Sequence, residues 1–166
     1  DNIEVSTEEI MYTGKEGAVP NVYVTYTDEN GEKVVLSKKD YDISSENGTN
    51  LGVHYLYVTS KDGGNYTWDG SVEATYSIVP FDIEKHISDM TVEADYTGKI
   101  IEIDSLVKSK IASVYGLVDS NYELEIKNLN NENTSIINVG TYDLTCKMTP
   151  GGNEYLKGEK TFHITV

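Results

Sequence analysis

The chain has 166 residues, a formal net charge of -15, and 13 basic side chains that are all Lys. A pI near 4.4 without any Arg argues against a phosphate-tracking nucleic-acid binder and against an electrostatic anchor on anionic lipid. No apolar run approaches the ~20 residues of a membrane span, and the single Cys excludes an internal disulfide.

Taken from the start, Asp1-Asn2 opens the chain without a signal segment, so a mature or excised fragment is expected. Tyr12-Thr13-Gly14-Lys15 reads as a turn. Val22–Tyr26 and Lys33–Leu36 are predicted strands flanking Asn30-Gly31, a strong hairpin signal. Asp40-Tyr41-Asp42-Ile43 begins another strand, and His54, Leu56 and Val58 alternate with Tyr55 and Tyr57 in the next. Gly63-Gly64-Asn65-Tyr66 is a turn, followed by clean alternation over Val72, Ala74, Tyr76 and Ile78. Val79-Pro80-Phe81 leaves almost no linker. The landmarks then return: Tyr96-Thr97-Gly98-Lys99, Asn121-Tyr122, Asn138-Val139-Gly140 (after Asn50-Leu51-Gly52), Gly151-Gly152-Asn153, and the Phe162, Ile164, Val166 alternation. Five landmarks in unchanged order divide the chain into two copies, 1–80 and 81–166. One stretch departs: Ser105–Ala112 lacks the hairpin and could form one helical turn or two.

About seven strands per copy is the number of an immunoglobulin-like sandwich. The landmark order, Tyr-x-Gly, Asp-Tyr, Asn-x-Gly, Gly-Asn-Tyr and a closing Phe-x-Ile strand, resembles the bacterial immunoglobulin-like repeats of Gram-positive cell-surface proteins. Val53 and the interrupting Glu154 depart from that pattern. The expected fold class is therefore all-β, two tandem immunoglobulin-like sandwiches arranged end to end as an elongated rod. The resemblance implies an extracellular or cell-surface stalk, spacer or adhesive segment, monomeric, whose partners are other domains of its parent protein and a host protein or glycan. The competing expectation is a carbohydrate-binding accessory module of a secreted enzyme.

Residues that could carry chemistry are sparse. Cys146 shares a strand face with Tyr142, Leu144 and Met148, and the repeat aligns it with Val58, so a small core slot is expected rather than a nucleophile. His54, His86 and His163 fall in separate segments without ligand spacing. Asp28, Glu29 and Glu32 crowd one hairpin, and Asp82, Glu84 and Asp89 the joint; both are read as solvated acids, with a structural Ca²⁺ the only cofactor they could draw on. An intramolecular isopeptide bond lacks an Asn or Asp on the final strands. Tyr66 and Tyr155 are read as corner anchors. Trp68, in a polar turn, and the outward Tyr55 and Tyr57 are the candidate ligand contacts. No catalysis is expected.

Overall fold

A computed structural model of the chain describes residues 2–128, 135–136 and 138–166. The chain forms two compact units, Asp1–Val79 and Pro80–Val166.

In unit 1, β1 (Ile3–Thr7), β2 (Ile10–Met11), β3 (Val22–Thr27), β4 (Lys33–Val35), β5 (Tyr41–Ser45), β6 (Gly52–Ser60) and β7 (Ser71–Val79) follow in order. β1, β3 and β4 make a three-stranded antiparallel sheet. Asp28 Oδ1 accepts the amides of Asn30 and Glu32, both at 2.8 Å, and fixes the hairpin between β3 and β4. A second sheet has the order β2-β7-β6-β5, antiparallel except for β2, which runs parallel to β7. Period-2 alternation decides which side chains meet between the layers. Ile3, Val24 and Leu36 from the first layer close on Tyr41, Leu56, Val58, Tyr76 and Ile78 from the second. Each such burial is worth about 1.5–3 kcal/mol.

Unit 2 contains β8 (Phe81–Asp82), α1 (Ile83–His86), β9 (Met90–Thr91), α2 (Ile103–Tyr115), β10 (Tyr122–Asn128), β11 (Asp143–Pro150), β12 (Leu156–Lys157) and β13 (Lys160–Thr165). Its main sheet has the order β9-β13-β11-β10, again antiparallel apart from the parallel edge strand β9. Strand for strand this is the sheet of unit 1. The covering layer differs. Ile103, Val107 and Ile111, spaced by four, put three buried side chains on one face of α2, which stands in the chain order between β9 and β10 where unit 1 has β3 and β4 between β2 and β5. Asp104 favours the helix N-terminus and pairs with Lys108 at 2.8 Å, while Gly116 ends the helix in the left-handed region at φ 70°. β8 and β12 form a separate two-stranded parallel sheet.

The expected pair of all-β immunoglobulin-like sandwiches is thus overturned. Among the described residues, four separate, open sheets replace closed antiparallel sandwiches, each main sheet carries a parallel edge, and unit 2 owes a layer of its core to a 13-residue helix. The physical reason lies in Ile103–Tyr115: its Ile and Val suit strands as well as helices, but their spacing serves a helix face.

The repeated landmarks have a common task. Asp40 and Asn121 are both buried, and the turn glycines approach their backbone closely. A Cβ on Gly64 would meet Asp40 O at 3.5 Å and Lys61 O at 3.1 Å, and one on Gly151 would meet the Asn121 carbonyl carbon at 3.0 Å. Lys61 N donates to Asp40 O at 3.1 Å and Gly151 N to Asn121 O at 2.9 Å. In each unit, then, the start of β5 or β10 is locked to the turn after β6 or β11. The Asn-x-Gly loops are also pinned alike: His54 Nε2 lies 2.6 Å from Asn50 O, and the Tyr142 hydroxyl donates to Asn138 O at 2.9 Å.

Candidate functional site

β6 is one of the two inner strands of the four-stranded unit 1 sheet, so the pleat alone decides what it shows to each side. Leu56 and Val58 are fully buried, whereas Tyr55 is 44% and Tyr57 39% exposed. Tyr55 stands opposite Thr75, and Tyr57 lies between Glu73 of β7 and Ser44 of β5. With exposed Val53 they form one aromatic and aliphatic stripe bordered by hydroxyls and acids. The Glu73 carboxylate raises the Tyr57 phenol above its ordinary pKa, first through its charge and further with desolvation and a hydrogen bond. At the end of the stripe, Glu46 Oε1 accepts the Tyr55 amide at 3.2 Å and lies 2.8 Å from His54 Nδ1. The His54 ring also stacks at 5.5 Å on Tyr76, and the Gly48 backbone closes over it with no room for a Cβ. This clasp orders the loop beside Tyr55.

Trp68 does not join that stripe. It is half-buried and packs against the unit 1 core with Tyr66, whose ring lies 5.2 Å from Tyr26. The Trp68 carbonyl accepts Ser60 Oγ at 3.2 Å, while its buried indole Nε1 has no hydrogen-bond partner. Tyr155 is half-buried in the corresponding turn of unit 2. The two acidic clusters are engaged internally. Asp28 holds its hairpin, and Asp82 caps α1 through Lys85 N and faces Lys157 Nζ at 3.7 Å. Among the described residues no group of three His, Cys, Asp or Glu could hold a metal ion.

Cys146 is fully buried between Ile126 and Phe162 on the neighbouring strands. Its counterpart in unit 1 depends on the landmark: the β5 and β10 register (Tyr41 with Ser60, Tyr122 with Pro150) sets it at Leu56 and the Asn-x-Gly loops set it at Val58, both fully buried. Burial, with a contribution from Asp104, pushes its thiol up to about 12. Tyr122, 4% exposed, is likewise pushed up to about 12, chiefly by burial and then by Asp119, Asp104 and Cys146; its hydroxyl has no partner. Both groups fold as neutral acids with raised pKa values, so their stabilisation is complete below the ordinary thiol value of 9.0 and is lost as pH climbs towards 12. Unit 2 should unfold cooperatively in that alkaline window, followed by tyrosinate absorbance and thiol alkylation. A thiol that titrates near pH 9 without unfolding would contradict its place in the core.

No family model matches the chain, and no curated protein matches it. Together with the helical layer of unit 2, this withdraws the resemblance to bacterial immunoglobulin-like repeats. The functions drawn from it, a tandem stalk, spacer or adhesive module and a carbohydrate-binding accessory module, fall with it. Among the described residues no helix is long and apolar enough to cross a membrane.

Proposed function

We propose that this chain is a non-catalytic recognition protein whose unit 1 binds a Lys- or Arg-bearing protein surface through Tyr55 and Tyr57. The observation that carries this is the pair of outward tyrosines at alternate positions of a rigid inner strand, bordered by Glu73 and Glu46. Exposed aromatic rings on a fixed sheet cost little side-chain entropy on binding and offer their faces to cations. Acids around the rim, on a chain of net charge -15, draw in a basic partner and repel acidic ones. The lack of catalysis is supported by Cys146, the only thiol, being buried and held protonated, and by His54 being engaged on both ring nitrogens. An extracellular setting belongs to the same proposal, because a buried thiol offers nothing for oxidation to attack.

Fluorescence anisotropy with a labelled peptide pool rich in Lys and Arg tests it. Tyr55→Ser together with Tyr57→Ser should weaken binding at least about tenfold, while the fold, read by circular dichroism, stays intact. Equal binding by the double variant would remove the tyrosine face from the account.

A further inference from the structure

The helix that replaces the hairpin in unit 2 leaves something unit 1 does not have: an edge strand facing a helix across an open groove. β9 is the last strand of its sheet, bonded only to β13 among the described residues. Val92 N donates to Thr165 O at 2.9 Å, so alternation turns the peptide groups of Thr91 and Glu93 away from β13 and towards the open side. Across from them stand Leu106, Ser109, Lys110 and Ser113. Their spacing of three, four and seven makes them one face of α2, next to the buried face of Ile103, Val107 and Ile111. The groove between strand and helix holds about 550 Å³. A second depression of about 660 Å³ shares Thr91, Val92 and Glu93 with it, and its lining includes Asp95 and Thr141.

We infer that this groove takes an extended polypeptide strand, which adds to the edge of β9 under the α2 wall. The chemistry of the lining selects the occupant. Thr91 and Glu93 offer edge amides and carbonyls, unpaired among the described residues, that satisfy the main chain of any extended segment. Half-buried Leu106 suits an apolar side chain, and the small Ser109 and Ser113 leave space for a backbone beside the helix. Exposed Lys110 offsets Glu93 within the groove, so it is Asp95, also exposed and in the adjoining depression, that tips the lining towards a basic residue at that end. A cationic strand with alternating apolar residues therefore fits, and the excess of acid over base in the chain favours it at longer range. This site is separate from the tyrosine face of unit 1 and stands or falls without it.

The test uses the full chain and an acetylated, amidated hexapeptide of alternating valine and lysine. Binding is followed by amide chemical shifts and hydrogen exchange. The peptide should shift and protect Thr91 and Glu93, and N-methylation at alternate peptide positions, which removes donors without changing charge, should weaken it at least about tenfold. Ser109→Tyr, at an exposed helix position, should block the groove with a comparable loss, whereas Ser105→Tyr, outside the lining, should not. Thr91→Pro should also weaken binding without unfolding, since that N–H is not used by the sheet and edge strands tolerate Pro. Absence of binding at about 1 mM peptide, equal binding of the N-methylated form, or indifference to Ser109→Tyr would overturn the site. Shifts confined to Tyr55 and Tyr57 would overturn it while leaving the tyrosine face standing.

Discussion

Cys146→Asp is expected to unfold unit 2 and leave unit 1 folded. The side chain at this position has no contact with solvent and lies between Ile126 and Phe162, with Leu144 and Met148 buried on the same strand face. The charge nearest in effect is the carboxylate of Asp104, which would repel a second one. Among the described residues no cation acts on this position, and burying an ionised carboxylate there costs several kcal/mol, against a typical domain stability of about 5–15 kcal/mol. Each unit has its own core, and the only Trp, Trp68, belongs to that of unit 1. Trp68 emission should therefore stay native while the amides of β10, β11 and β13 lose protection from exchange. Cys146→Val is the companion: a small apolar replacement should cost less than about 1.5 kcal/mol. Native behaviour of the Asp variant would show that the slot is not a core position.

Ile111→Ala should be the most damaging large-to-small change in α2. Ile111 is completely buried, in line with Val107 and Ile103, and together they are the helix's contribution to the unit 2 core. Truncation removes three carbons from a packed site with a rigid sheet behind it, so the expected loss is about 2–5 kcal/mol. Ala has a higher intrinsic helix propensity than Ile, so a loss of that size cannot come from weaker local helix formation. Denaturant titration of unit 2 would read it as a lower midpoint. A change below about 0.5 kcal/mol would mean that α2 is not a structural layer.

How far the sequence carried these conclusions depends on the segment. The alternation in β6 and β7 was legible because one face of that sheet is buried and the other wet, which leaves a period-2 trace from Leu56 and Val58 to Tyr76 and Ile78. The repeat was legible because Asp40-Tyr41 and Asn121-Tyr122 each lock to a glycine turn, and such locks admit few residue types. The edge strands were not. β2 and β9 are two residues long, too short to show a period, and nothing in Ile10–Met11 or Met90–Thr91 encodes a parallel rather than antiparallel neighbour. Ser105–Ala112 departs from the repeat in sequence, but its helix begins and ends outside those limits, at Ile103 and Tyr115 with Gly116 as the stop. Seven strands per copy and a repeated turn pattern then suggested a familiar sandwich, which the helical layer excludes. Of the candidate contacts, Tyr55 and Tyr57 follow from alternation alone, whereas the turn position of Trp68 carried no trace of its packing on the core. The β9–α2 groove could not be seen in sequence because its two walls, Thr91–Glu93 and Leu106–Ser113, meet only through the tertiary fold.

The central claim is that two copies of one four-stranded sheet are closed by different layers, a three-stranded sheet in unit 1 and a helix in unit 2. Backbone chemical shifts with residue-resolved amide exchange on the full chain test it most directly. The expected result is helical Cα shifts over Ile103–Tyr115 with slow exchange at Val107 and Ile111, beside strand shifts over Val22–Thr27 and Lys33–Val35. Strand-like shifts across Ile103–Tyr115 would contradict it, and the groove beside β9 would be lost with the helix.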